Sequence, residues 1–213
     1  LDQATATYHP SFPKVNGTVY ACISDSQGGW YIGGSFSKVG SSLRNNLAHI
    51  KSGGTVDAWN PGANGEVRTL ALYGSTVYVG GYFTQVGGAA RKYAGAVDAA
   101  TGVATAWNPD PNGGIYAITA TSTTVYIGGL FSSINTQTVL RSNLAAVDAS
   151  SGTATSWNPG VGMASLNLSF CVYGMLLANH DSTLYVWGNI GTIAGNTRRG
   201  VGAVNTYANT VTL

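Results

Sequence analysis

Apolar and polar residues alternate along this chain in short runs, four to a unit, and the unit recurs. In its clearest copy the runs are Val67 to Tyr73, Thr76 to Gly81, Ala94 to Asp98 and Val103 to Asn108. They are rich in Val, Ala, Tyr, Trp and Thr, and their period of two predicts β-strands rather than helices. Gly74-Ser75 separates the first two runs, a signal for a two-residue hairpin. The third and fourth are joined by Ala99-Ala100-Thr101-Gly102. There Asp98 is placed to accept from backbone amides of the turn, and Gly102 is free to adopt positive φ. The same device returns at Asp148-Ala149-Ser150-Ser151-Gly152. A longer link, Tyr82 to Tyr93, joins the second and third runs and holds Gly87-Gly88 and Arg91.

The recurrence is carried by two motifs. Tyr31-Ile32-Gly33-Gly34-Ser35-Phe36 returns as Tyr78-Val79-Gly80-Gly81-Tyr82-Phe83 and Tyr126-Ile127-Gly128-Gly129-Leu130-Phe131, at intervals of 47 and 48 residues. Trp59-Asn60-Pro61 returns at Trp107 and Trp157, at intervals of 48 and 50. Self-similarity at this period means a repeat architecture. Four antiparallel strands per repeat are the signature of a β-propeller blade, whose two apolar faces are buried only by stacking against neighbouring blades. The fold class expected is therefore all-β: a β-propeller of four-stranded antiparallel blades with a period of about 48 residues.

The units divide the chain at 11–61, 62–109, 110–159 and 160–213. Residues 1–10 read as the last strand of a preceding blade, with Tyr8-His9-Pro10 in the place of Trp-Asn-Pro. One leading strand, three regular blades and one altered blade suit part of a larger propeller better than a closed ring of four. The repeated aromatics have a core reading: each fills the same gap between blades, at roughly 1.5–3 kcal/mol per fully buried large apolar side chain. The alternative for Trp and Phe is a set of sugar-stacking platforms. The last unit departs from the pattern. Trp157 and Tyr185 are 28 residues apart, against 19 from Trp59 to Tyr78, and Trp187 replaces the first glycine of the Gly-Gly pair. The added material lies within Gly160 to His180. Trp187 and His180 are therefore candidate binding residues.

Composition narrows the function. Charged residues make up only 8% of the 213, against about 25% on average. Net charge is +2 and the basic residues are scattered, which argues against a nucleic-acid partner. No stretch of 18 apolar residues exists, so no membrane-inserted helix is expected. Glu66 is the only glutamate, and few helices are expected. A chain opening at Leu1-Asp2-Gln3, with a surface rich in Thr, Ser, Asn and Gly, suggests a processed chain or a segment of a longer one, extracellular or surface-displayed.

Arg44, Arg91, Arg141 and Arg198 fall at one place in the four units, just before the third strand. As binding residues they would form a ring of guanidinium groups for an acidic glycan or phosphate. The alternative is that each bonds loop carbonyls within its own blade. No catalytic residues emerge. Asp25, Asp57 or Asp181 would have to converge for a glycosidase pair, and nothing in the sequence supports that. His9, His49 and His180 lack metal-ligand spacing, and no metal or other cofactor is expected. Cys22 and Cys171 both fall in the first strand of a unit. A ring closed at four blades would bring them together as a disulfide; a larger ring would leave them as free thiols, the reading preferred.

The order of motifs carries a resemblance. Val77 to Arg91, Ala94 to Gly102, Trp107 to Pro109 and Asn112-Gly113 together resemble the delta-60 repeat β-propeller family. The resemblance covers nearly the whole chain. It implies a module of a large, often multi-domain bacterial surface or secreted protein with no general enzymatic activity. The Asp-Ala-x-Thr-Gly turn followed by Trp is also similar to the repeat of pyrroloquinoline-quinone-type propellers, but no set of acidic calcium and quinone ligands accompanies it. The function expected is a non-enzymatic recognition or adhesion module with a carbohydrate or protein ligand. One alternative is a structural block of an extracellular fibre or particle, joined to identical neighbouring subunits. A second is a glycan-directed enzyme on a propeller scaffold. Fold alone does not choose among them.

Overall fold

The computed structural model describes residues 12–162, 171–178, 180–208 and 210. Within them every regular element is a β-strand. The first blade holds β1 (Val15–Ser24), β2 (Trp30–Val39), β3 (Ser42–Leu43) and β4 (Leu47–Ile50). The second holds β5 (Glu66–Tyr73), β6 (Thr76–Tyr82), β7 (Gln85–Val86), β8 (Ala89–Ala90) and β9 (Ala94–Asp98). The third repeats this with β10 (Ile115–Ala120), β11 (Thr124–Gly129), β12 (Ser133–Ile134), β13 (Val139–Leu140) and β14 (Leu144–Asp148). The fourth holds β15 (Val161–Gly162), β16 (Cys171–Ala178), β17 (Thr183–Asn189), β18 (Thr192–Ile193), β19 (Asn196–Thr197) and β20 (Val201–Asn205).

Each blade is an antiparallel meander. The middle strand pairs with an inner and an outer strand, as in β5-β6-β9, β10-β11-β14 and β16-β17-β20. The inner strands β1, β5, β10 and β16 touch one another from blade to blade, so they lie nearest the axis. This is a β-propeller. In the first three units the fourth run pairs with the third only briefly. In the second blade it makes one bridge, Val97 to Ala104, flanked by bonds from the Asp98 and Thr105 amides to Val103 and Ala96 carbonyls. The Ala104 amide turns instead to the Gly87 carbonyl of the β7–β8 link. The chain then leaves the sheet at Trp107 to enter the next joint.

Those joints explain the motifs. Tyr31, Tyr78 and Tyr126 are only 4–5% exposed, and Trp59, Trp107 and Trp157 are buried against them edge-on at 5.0, 5.1 and 5.2 Å. The Tyr31 and Tyr78 hydroxyls donate to the Ala99 and Ala149 carbonyls of the following blade, each at 2.9 Å. The indole N–H groups of Trp59 and Trp107 donate to the Asp98 and Asp148 carbonyls at 3.1 Å. Burial pushes the Tyr78 phenol up and keeps it a donor. The first glycine of each pair is a contact surface. A β-carbon on Gly80 would stand 2.6 Å from Ile115 of the third blade. The middle strands β6 and β11 are covered on both faces, which is why they are buried almost throughout rather than on alternate residues.

The turns before the fourth run behave as their sequence predicts. Asp148 accepts from the Ser150 hydroxyl at 2.6 Å, the Ser151 hydroxyl and amide at 2.8 Å, and the Ser150 amide at 3.0 Å. These bonds hold its carboxyl down to about 2. Gly152 has φ of 81° and packs on the Asn108–Pro109 main chain of the preceding blade. Asp148→Ala is expected to lower the melting temperature by roughly 2–4 °C. The folded-state pKa is depressed, so the contribution is complete above the ordinary carboxylate range and lost as pH falls through about 2. Melting curves from neutral to acid pH check this; a difference that stays constant into acid would refute it.

Candidate functional site

All four inner strands carry a β-bulge at the same height. The irregularity falls between Val19 and Ala21, Val67 and Thr69, Ile115 and Ala117, and Val172 and Gly174. The bulged residues are Tyr20, Arg68, Tyr116 and Tyr173. A bulge leaves its extra residue outside the pairing alternation and re-aims the side chain. Here it produces one row across four blades. The Arg68 guanidinium lies 4.0 Å from the centre of the Tyr20 ring and 6.0 Å from that of Tyr116. Tyr116 meets Tyr173 edge-on at 5.6 Å.

A second rank supports the row. Tyr82 stands edge-on to Tyr116 at 5.7 Å, with 2.9 Å between their hydroxyls, and edge-on to Tyr93 at 6.2 Å. Tyr82 lies against Gly114, where any side chain would displace it. Burial, then the Tyr116 hydroxyl, pushes the Tyr82 phenol up, so it remains a neutral hydroxyl. Glu66 accepts from Arg68 Nε at 2.9 Å and also from its terminal nitrogen. Tyr20, Tyr82 and Tyr173 remain solvent-exposed. The surface thus combines aromatic rings with hydroxyls, one guanidinium and one carboxylate. A shallow groove lined by Asn64, Phe83, Thr84 and Tyr93 adjoins Tyr82.

A separate polar cluster occupies the joint of the first and second blades. His49 Nε2 lies 2.9 Å from Asp25, and its Nδ1 lies 2.9 Å from Asp57. Its ring stacks on Tyr31 at 4.3 Å and is 8% exposed. Lys51 approaches Asp57 at 3.4 Å. Burial pushes the Asp25 carboxyl up, but bonds from the Gln27 amide, His49 and the Gly29 amide outweigh it, and the net position is below the ordinary range. At Asp57 burial is outweighed in the same way by His49, Lys51 and the Ala58 and Trp59 amides. Asp25 and Asp57 do converge, but on a histidine between them rather than across an open cleft. The signal for this was available: His49 stands where Ala96, Ala146 and Ala203 stand in the other blades.

The four arginines do not form a shared cluster; each is engaged inside its own blade. Arg44 bonds the Leu43 and Asp57 carbonyls. Arg91 bonds those of Ala90, Thr105 and Trp107 at 2.8, 2.6 and 3.1 Å. Arg141 bonds Leu140 and Thr155, and Arg198 bonds Thr197. Arg44, Arg91 and Arg141 thereby tie the link after the middle strand to the fourth run. His180 is exposed and, with Asp181, adopts positive φ in the β16–β17 turn. Trp187 is 45% exposed and lies over Gly174. Much of the added segment of the fourth unit, 163–170 and 179, lies outside the described residues. Cys22 is exposed and Cys171 buried, both as free thiols. They differ in height along the inner strand, Cys22 opposite Ile32 and Cys171 opposite Asn189. Burial pushes the Cys171 thiol up to about 12.

No family model matches the chain, and no curated protein matches it. Solved structures do. The extracellular domain of a one-component system from B. thetaiotaomicron superposes with a TM-score of 0.57 at 14% identity, over 91% of this chain and 22% of that one. The computationally designed Ika4 protein gives 0.56 at 11% identity, over 91% of this chain and 94% of that one. The extracellular domain of a hybrid two-component system from B. thetaiotaomicron gives 0.51 at 16% identity, over 92% and 24%. This chain thus spans less than a quarter of the extracellular domains it resembles, and the likeness is one of propeller fold.

Proposed function

We propose that this chain is a non-enzymatic recognition module, extracellular or surface-displayed, that binds carbohydrate on the row Tyr20-Arg68-Tyr116-Tyr173. The observation that carries the reading is the coincidence of four bulges, which sets these residues side by side next to the axis. A pyranose has an apolar C–H face and a rim of hydroxyls. Aromatic rings with an apolar body and a polar tip suit the face. Arg68, Glu66 and the tyrosine hydroxyls suit the rim. The similarity to extracellular domains supports the location.

The test is a glycan array followed by calorimetry on the strongest hit. Tyr116→Ala is expected to weaken binding about tenfold, or about 1.4 kcal/mol, with unchanged far-ultraviolet circular dichroism. Arg68→Ala should also weaken it, whereas Arg198→Ala should not. An array without hits, or equal affinity in Tyr116→Ala, would refute the reading.

A further inference from the structure

On the carbohydrate reading of the row, on which this rests, we propose that the bound glycan continues over Tyr82 into a cavity between the second and third blades, where a further sugar seats on Tyr93 beside Lys92, Asp110 and Gln137. The cavity measures about 340 Å³, and Thr84, Lys92, Tyr93, Asp110 and Gln137 are among the residues that line it. Both blades have a neighbouring blade on either side.

Three departures from the repeat border this one cavity. The first is Tyr93. One main-chain bond marks its place in every blade: the Gly34, Gly81, Gly129 and Gly188 amides donate to the carbonyls of Asn46, Tyr93, Asn143 and Gly200. All four residues have positive φ, between 61° and 84°. Asparagine and glycine tolerate that conformation; a bulky aromatic residue rarely adopts it. Asn46 accepts from the Phe36 amide at 3.0 Å and donates to the Ala63 carbonyl at 2.9 Å, and Asn143 donates to the Gly129 carbonyl at 2.8 Å. Tyr93 forgoes such bonds. Its ring rests partly on the core of the joint and lines the cavity. The second is Asp110, which follows Trp107-Asn108-Pro109 where Gly62 and Gly160 follow the other two copies of the motif. Its φ is 42°, against 58° and 62° for the glycines. A β-carbon on either glycine would meet nothing within 4 Å, so the position calls for backbone freedom rather than a side chain. No hydrogen bond or ion pair engages the side chains of Asp110 or Lys92 among the described residues. The third is a longer link. Phe131 and Arg141 are ten residues apart, against eight for Phe36 and Arg44, Phe83 and Arg91, and Ile190 and Arg198. The lengthened link places Gln137 on the cavity, again at positive φ, 67°.

Disfavoured backbone conformations cluster where a ligand is held, and here three of them meet on one cavity. Their side chains suit a sugar. Tyr93 offers an aromatic body for the C–H face. Asp110 accepts from hydroxyls, Lys92 donates to them and Gln137 does both. One carboxylate and one ammonium leave the site without excess charge, which favours a neutral polyhydroxyl unit over an ion. The cavity is also continuous with the row. Tyr116, Tyr82 and Tyr93 follow one another edge-on in steps of 5.7 and 6.2 Å. The groove beside Tyr82 shares Thr84 and Tyr93 with the cavity. A chain seated on the row therefore reaches the cavity along an unbroken surface of tyrosine rings.

Calorimetry tests this with the strongest-binding glycan of the array, taken as the full chain and cut back to its single sugars. Wild-type affinity should rise at least about tenfold from single sugar to full chain. Tyr93→Asn and Asp110→Gly each restore a residue that other blades carry at that place. Both should keep the single-sugar affinity, while the gain with length falls to about threefold or less. Their melting temperatures should rise or stay within about 3 °C of the wild type, because relief of the backbone offsets the contacts removed. Tyr116→Ala, on the row, should weaken every length alike. A gain with length that survives in both variants would overturn the extension into the cavity. So would a larger fall in melting temperature in both, which would assign Tyr93 and Asp110 to the fold. Single-sugar binding with no gain with length overturns the extension and leaves the row standing. An array without hits overturns the carbohydrate reading and the extension together.

Discussion

Trp107→Ala is expected to destabilise the protein by about 3–5 kcal/mol, the range for removing a large buried aromatic side chain. Trp107 is 1% exposed and packs in the joint of the second and third blades with Tyr78, Ile115 and Phe131. Deletion removes its packing, its edge contact with Tyr78 at 5.1 Å and its bond to the Asp148 carbonyl. Trp107→Phe restores most of the volume but not the bond. The Asp148 carbonyl still accepts from the Gly152 amide, so this milder change should cost about 1–2 kcal/mol. Urea unfolding of the three proteins measures both. Equal losses in Phe and Ala variants would show that the indole N–H, rather than packing, holds the joint.

His49→Leu is expected to cost on the order of 3 kcal/mol near neutral pH, because it strips the shared partner from two part-buried carboxylates. Leucine keeps apolar bulk against Tyr31. It leaves Asp25 with the Gln27 and Gly29 amides, and Asp57 with Lys51 and the Ala58 and Trp59 amides. The pH dependence separates charge from packing. Both carboxyls sit below their ordinary values. The stability they contribute is therefore present above about pH 4 and lost as pH falls through the folded-state values. The gap between wild type and His49→Leu should be widest near neutrality and shrink in acid, as the carboxylates take up protons and no longer need the bonds that His49 supplies. Melting temperatures between about pH 7 and pH 3 decide this; a constant gap would assign the loss to packing alone.

The propeller was legible because its joints are written in residue identity. Gly80 is glycine since Ile115 occupies the space of its side chain, and Trp107 recurs as Trp157 because each fills the same gap. Such requirements repeat at a fixed interval and show in a single sequence. The bulge row does not show, since a bulge is a displacement of backbone pairing that Tyr20, Arg68, Tyr116 and Tyr173 satisfy equally well. The Asp25-His49-Asp57 cluster was hidden for another reason. Its members converge through the β1–β2 turn, the β2–β4 register and the return of the chain after β4, where the Asp57 amide donates to the His49 carbonyl, though a histidine in an alanine column was a visible irregularity. The arginines were found by position, but their partners are backbone carbonyls, which every residue has.

That last property reaches beyond the arginines. Tyr31 and Tyr78 also reach carbonyls of the blade that follows, and so do Trp59 and Trp107. A donor that addresses the main chain is indifferent to its neighbour's side chains. Each blade is therefore a cassette with a generic plug and socket. Side chains in one cassette can drift without a matching change in the next. Whole cassettes can be duplicated or exchanged by recombination with the polar part of the joint intact, leaving only the glycine-seated apolar contact to be refitted.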